Sequence, residues 1–170
     1  MHVNAMLCEE SRPQKVAMKD INIREALEAD LPRLRELEQK IVDSERPYNA
    51  FLKDDGVTYY DLENLISDPS SYLLVVESER EVIGSGYAQI RNSRLCHVHD
   101  KHCYLGFIYL EPEHRGKAIG KSILDSLKDW GERQGLRHFH LDVYAENVSA
   151  IKSYEKSGFK KVSVKMELVV

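Results

Sequence analysis

Apolar and polar positions change period repeatedly along the chain, and each change marks an element. Ile21-Asn22-Ile23-Arg24 alternates and predicts a short strand. Leu31, Leu34, Leu37 and Ile41 then recur at helical spacing, with Asp30 placed to cap the helix and Pro32 in its first turn. Residues 43–57 are a polar connection carrying Pro47, Tyr48, Phe51 and Gly56. Thr58 followed by Asp61 resembles a capping box opening a helix with Tyr59, Leu62, Leu65 and Ile66, which stops before Asp68-Pro69. Tyr72 to Glu77 reads as a buried strand, turned by Ser78-Glu79-Arg80 into Val82–Arg91, where Gly84 and Gly86 predict a twist or bulge. After a polar link over 92–101, an aromatic-rich strand ends at Glu111-Pro112. Ile119, Ile123, Leu124, Leu127 and Trp130 share one face of the next helix, with Lys121, Asp125 and Lys128 opposite and Gln134-Gly135 as its stop.

Phe139, Leu141 and Val143 alternate with His138, His140 and Asp142 as a further strand. A short helix from Asn147 to Lys156 ends at Gly158, and Val162, Val164 and Met166 predict a last strand. A strand–helix–strand unit of this length is expected to be parallel and right-handed. The order β-α-α-β-β-β-α-β-α-β describes one α/β or α+β domain over residues 18–170, with a mixed sheet and helices on both faces. Residues 1–17 read as an N-terminal extension.

Composition narrows the class. At 170 residues the chain suits one domain. No apolar run approaches the roughly 20 residues of a membrane span, and no secretory signal pattern opens the sequence. Cys8, Cys96 and Cys103 form no CxxC pair, and an odd count argues against a disulfide framework. A cytoplasmic setting is therefore expected. The net charge of −4 is uneven: residues 1–100 hold 12 Lys/Arg against 19 Asp/Glu, whereas residues 101–170 hold 12 against 9. That split suits an anionic ligand on the basic half and a cationic one on the acidic half, and no basic stripe suggests nucleic acid.

The stretch that organises the chain is Tyr104 to Gly120. A strand delivers Arg115-Gly116-Lys117-Ala118-Ile119-Gly120 onto a helix start, where free N–H groups, the helix dipole and two cations converge on one spot. This is an anion site. It is not a P-loop, because three residues rather than four separate Gly116 from Gly120-Lys121-Ser122. Residues 115–120 resemble the acyl-CoA pyrophosphate loop of the GNAT superfamily of N-acetyltransferases. Downstream, Asn147, Ala150, Tyr154 and Gly158-Phe159 resemble that family's second signature, and the element order resembles its layout from Ile21 onward. One position departs: Ala118 stands where the family has the first glycine of Gly-x-Gly, which adds a methyl and disfavours positive φ.

The resemblance implies a mixed, largely antiparallel twisted sheet and acetyl-CoA as donor, with transfer to a primary amine by direct attack in a ternary complex. It implies that Arg115, Gly116, Lys117, Ala118, Ile119, Gly120 and Lys121 cradle the pyrophosphate, and that strand backbone at Ile108 and Leu110 pairs with the pantetheine arm. It also places Asn147 beside the cofactor and Tyr154 as the acid that protonates the leaving sulfur. An N–H near Leu110 would polarise the carbonyl. Glu111 and Glu113, beside an anion site, are expected to be solvated.

Many family members carry a basic Glu on the strand before the loop, but that region here holds Tyr104 and Gly106. Strict alternation would put His102, Tyr104, Gly106, Ile108 and Leu110 on one face, which leaves His102 and Tyr104 as candidate bases. Glu45, Tyr48, Phe51 and Tyr59 are candidates for an acceptor wall. The Cys96–Cys103 run lacks the paired spacing of zinc sites, and no metal is expected. The acceptor is a small-molecule or protein amine, and a homodimer is one arrangement the resemblance allows. A non-catalytic acyl-CoA-binding module with the same fold is the alternative.

Overall fold

The computed structural model describes residues 21–168. Five strands form one sheet in the order β1 (Ile21–Glu25), β2 (Ser71–Ser78), β3 (Glu81–Asn92), β4 (Lys101–Leu110) and β5 (Phe139–His140). Neighbours are antiparallel except β4 and β5, which are parallel across the predicted strand–helix–strand crossover. Helices α1 (Leu31–Glu45) and α2 (Leu62–Ser67) cover one face, and α3 (Ile119–Arg133) covers the other. A fourth helix, α4 (Val148–Lys156), follows β5.

The stripe expected of α3 is the stripe that is buried. Ile119, Ile123, Leu124, Leu127 and Trp130 pack on Leu74, Val76, Ala88, Cys103 and Leu105. Burying each such side chain stabilises by about 1.5–3 kcal/mol relative to leaving it in water. On the opposite face Leu34, Leu37 and Ile41 of α1 pack with Leu62 and Leu65 of α2 against Leu73, Val75, Tyr87, Phe107 and Tyr109. Gly86 is required between β3 and α3, since a Cβ there would lie 2.8 Å from the Ile123 side chain.

Several local expectations are corrected. Asp30 precedes α1 but does not cap it; its carboxylate accepts the Leu27 N–H and two bonds from Arg24. Asp61, expected inside a helix opened at Thr58, is itself the cap of α2, accepting from the Asn64 N–H at 3.0 Å. A short polar side chain satisfies an orphan amide better from the cap position than from within the turn. β5 pairs over only two residues. The predicted last strand does not form, and Val162, Val164 and Met166 lie 78–91% exposed in irregular chain. Alternation alone sets no strand without a neighbour to bond. The extension at 1–17 and residues 18–20 lie outside the described residues.

β4 carries the irregularity that matters. Ser85 pairs with Tyr109 and Tyr87 with Gly106, so Phe107 and Ile108 together face Gly86 alone. This is a β-bulge, with Phe107 at φ 51°. The buried Ser85 hydroxyl donates to the Phe107 carbonyl at 3.0 Å and satisfies the group that the bulge takes out of the ladder. The extra residue reverses the alternation. Cys103 and Leu105 before it face α3, as do Ile108 and Leu110 after it, whereas Tyr104, Phe107 and Tyr109 face α1 and α2. The single face expected for Tyr104, Gly106, Ile108 and Leu110 is therefore split in two.

Candidate active site

Beyond the bulge, β4 runs into the loop before α3. A short 3-10 turn over Pro112–His114 leads to Gly116 at φ 75° and Ala118 at φ 62°, the latter being the cap residue of α3. The two left-handed residues turn the backbone so that the N–H groups of Gly116, Lys117 and Ala118 meet no backbone acceptor among the described residues. Ile119 and Gly120 lie in the first helical turn, where amides have no intrahelical acceptor. Five successive donors thus stand at the positive end of a 15-residue helix. A Cβ at Gly116 or Gly120 would meet nothing within 4 Å, so both present open backbone.

The cations of the loop are used unequally. Arg115 turns back, its Nε donating to the Leu110 carbonyl at 2.8 Å, and so fixes the loop to the end of β4. Lys121 pairs with Asp125 one turn along α3. Lys117 has no ion-pair partner among the described residues and is the loop side chain best placed to meet a phosphate. Glu113 is exposed as expected, but Glu111 is not: it is 5% exposed, and it binds Arg33 at 2.8 Å, the Tyr109 hydroxyl at 3.1 Å and Lys40. Burial alone would raise its pKa, but these three partners outweigh that and hold it below the usual carboxylate range. Glu111 ties α1 to the loop, its own charge met by Arg33 and Lys40.

A gap opens alongside β4. β5 pairs only with Cys103 and Tyr104, so Leu105 to Leu110 have no β5 partner on that edge. Ile108 and Leu110 border this gap, just past the bulge. α4 is capped by Asn147, whose Oδ1 accepts the Ala150 N–H at 3.1 Å. The Asn147 amide nitrogen donates no hydrogen bond among the described residues. Tyr154 lies in α4 against the α3-side core, edge-on to Phe159 with ring centroids 6.2 Å apart. Burial first, and the charge of Glu45 second, push its phenol up to about 12, so it keeps its proton.

The two candidate bases stand in the first half of β4. His102 is at the start of β4, about 16 Å from the bulge at the usual strand rise. Its Nδ1 is 3.0 Å from the Ser93 hydroxyl, and its ring stacks on His140 at 4.2 Å. Tyr104 donates to Asp142 at 2.9 Å beneath the Arg91 guanidinium, and burial together with that carboxylate raises its pKa strongly. A phenol held protonated takes no proton from an amine.

Glu45 carries a signal that strand alternation passes over. It is half-buried at the C-terminal end of α1, and its charge bears on Tyr59, Tyr60 and Tyr154. His97, His99, His138 and His140 gather beside the start of β4, with the His99 and His138 rings stacked at 3.6 Å. Among the described residues, no group of three His, Cys, Asp or Glu is arranged to hold a metal. No helix there is long and apolar enough to cross a membrane.

Comparison with known proteins agrees with this geometry. The acetyltransferase (GNAT) family model matches residues 32–159. A mutant of the BH1408 protein from Bacillus halodurans has the same fold, with a TM-score of 0.78 at 20% identity over 88% of this chain and 99% of that one. A predicted acetyltransferase from Clostridium acetobutylicum, solved with acetyl-CoA, superposes with a TM-score of 0.70 at 17% identity over 88% of this chain and 96% of that one. Among curated proteins, the uncharacterized N-acetyltransferase YobR of Bacillus subtilis is 36% identical over 59 residues, 35% of this chain and 24% of that protein. The chain spans between about a quarter and under half of the length of the curated relatives it matches. With the family's pattern matched over three quarters of its length and the family's fold built around the bulge and the loop, this chain belongs to the GNAT family of acetyltransferases.

Proposed function

We propose that the protein transfers the acetyl group of acetyl-CoA to a primary amine by direct attack in a ternary complex. The observation that carries this reading is the continuity of bulge, gap and amide row along one edge of β4. An acyl-CoA lying along that edge has its pyrophosphate at the amides of Gly116 to Gly120 and Lys117. Its pantetheine arm pairs with backbone at Ile108 and Leu110, and its thioester lies beside the bulge. The free N–H near Leu110 polarises the carbonyl. Tyr154, kept protonated by burial, supplies the proton to the sulfur as the C–S bond breaks.

The acceptor is an amine of a small molecule or a protein, entering from the α1–α2 side. No metal is required in this scheme, and the setting expected of it is the cytoplasm.

Calorimetric titration with acetyl-CoA, with CoA and ATP in parallel, tests the loop. Saturable binding of both CoA species without comparable binding of ATP is the expected result. Tyr154→Phe tests the chemistry: thiol release in the presence of an amine should fall by at least tenfold with acetyl-CoA affinity within about twofold of the parent. Unchanged turnover would remove Tyr154 from the mechanism. Binding without turnover over a broad amine panel would favour a non-catalytic acyl-CoA-binding module.

A further inference from the structure

Direct attack needs a neutral amine, and an amine of pKa near that of lysine arrives as an ammonium. His102 lies five residues along β4 from the bulge, and the Tyr104 hydroxyl already donates to Asp142. The inference below rests on the transferase reading and names the group that takes the proton.

The buried face of α1 is Leu34, Leu37, Glu38, Ile41 and Val42. Residue 45 follows Glu38 by seven, Ile41 by four and Val42 by three, so Glu45 continues that inward face. The two inward carboxylates have different fates. Glu38 is 2% exposed and fully used, accepting the N–H groups of Tyr59 and Tyr60. Glu45 is half-buried, no ion pair engages its carboxylate among the described residues, and the Tyr59 hydroxyl is the group that reaches it. The adjacent Arg46 is turned away, its guanidinium donating to the carbonyls of Lys53 and Asp54 and lying 3.5 Å from Asp43.

The groups near Glu45 are phenols from two parts of the chain. Tyr59 and Tyr60 come from the segment before α2 and Tyr154 from α4, while Tyr144, from the segment after β5, lies against Tyr59. Tyr60 packs at 4.8 Å on Phe107, the bulge residue, so the aromatic side chains near Glu45 reach to the bulge. The buried Tyr59 hydroxyl lies beside the Glu45 carboxylate and the Tyr144 hydroxyl. Tyr144 accepts from the Asn49 amide at 3.0 Å and lies 6.1 Å from the Tyr48 ring, which joins the α1–α2 connection to the far wall. Lys165 comes near Tyr144, but no cation pairs with Glu45 among the described residues. A half-buried carboxylate with no ion-pair partner among the described residues, the Tyr59 hydroxyl beside it and aromatic walls make a receptacle for an ammonium group.

We propose that Glu45 is the catalytic general base, binding the acceptor ammonium and taking its proton before attack. The ammonium gives one proton to the carboxylate, leaving Glu45 neutral and the amine lone pair free. The nitrogen then bonds to the thioester carbon. As the tetrahedral adduct collapses, the C–S bond breaks with its electron pair on sulfur. The sulfur takes the Tyr154 proton, and Tyr154 recovers one from the acylated nitrogen. Glu45 loses its proton to solvent, so the sum is amide, free thiol and one proton released. Burial raises the Glu45 pKa towards the range in which a carboxyl serves as a base, although the Tyr59 hydroxyl partly opposes the rise.

The test compares the parent chain with Glu45→Gln and Glu45→Asp in a thiol-release assay. Kanamycin, an alanyl peptide, lysine and spermidine serve as acceptors, and acetyl-CoA binding and thermal melting are measured in parallel. For any amine the parent acetylates, Glu45→Gln should lower kcat/KM by about 10²–10³-fold with a fall in kcat, the size of a lost general base. Its acetyl-CoA Kd should stay within twofold, and the acidic limb of its kcat/KM–pH profile should vanish. Glu45→Asp should recover part of the rate and keep that limb. A Gln variant that raises only KM, or that retains the limb, would overturn the base assignment and leave the transferase standing. A parent that binds acetyl-CoA yet acetylates none of the four would overturn both readings together.

Discussion

Ala118 is where the chain departs from its family's loop, and the structure gives the departure a cost. The residue sits at φ 62°, ψ 1°, a left-handed conformation that costs a residue bearing a Cβ about 1–2 kcal/mol. Its neighbour Gly116 adopts φ 75° without that penalty. Ala118→Gly should therefore raise stability by up to about 1 kcal/mol, since part of the gain is offset by the greater freedom of glycine in the unfolded chain. It should also tighten acetyl-CoA binding by removing a methyl from the approach to the phosphates. Thermal melting and calorimetry read the two effects separately. A lower melting temperature would mean that the alanine methyl makes packing contacts outweighing the strain.

At the scale of elements, α1 is held to its neighbours through carboxylates as well as through its apolar stripe. Glu38 holds the amides of Tyr59 and Tyr60, and Glu111 draws Arg33 and Lys40 down onto the end of β4. Replacing Glu38 with Ala strands two backbone donors in a buried place, at a cost of about 1–3 kcal/mol. Denaturant unfolding should report that loss. The same variant should loosen the aromatic wall before α2, so amine turnover should fall more than acetyl-CoA affinity does. Equal losses in both would mean that the wall and the cofactor edge unfold as one unit.

For the whole molecule the pH dependence has a definite direction. His102 and His140 stack at the start of β4, and burial together with neighbouring positive charge lowers both of their pKa values in the folded state. Between those lowered values and the unfolded value near 6.5 the unfolded chain binds more protons. Stability should therefore rise with pH through this window, be fully present above about pH 6.5, and fall on acidification. Melting temperature measured from pH 7.5 to 5.5 should show the decline, and His140→Gln should flatten it. An unchanged slope in that variant would place the acid sensitivity in the carboxylates instead.

The local order of the chain was legible because short-range physics decides it. The stripe from Ile119 to Trp130, the stop at Gly135 and the amide-rich loop at 115–120 each rest on helix period, a glycine conformation or a dipole, and all three appear as expected. The sequence by itself also fixes Tyr154 on a helix that follows the crossover strand. What it leaves open are the features that need a partner. Val162 to Met166 alternates like a strand, yet pairing decides strands, and no neighbour bonds it. A bulge is expected from Gly84 and Gly86, but its place at Phe107 on β4 depends on Gly86 across the ladder and on the Ser85 hydroxyl, and it reverses the faces that alternation assigns to Ile108 and Leu110. Glu111 reads as a surface carboxylate until Arg33 and Lys40, more than 70 residues earlier, are brought against it. Glu45 reads as the polar end of a helix until Tyr59, Tyr60 and Tyr154 close around it. A side chain's charge is written in the sequence, but its solvation, and with it its chemistry, is set by what the tertiary fold packs on every side.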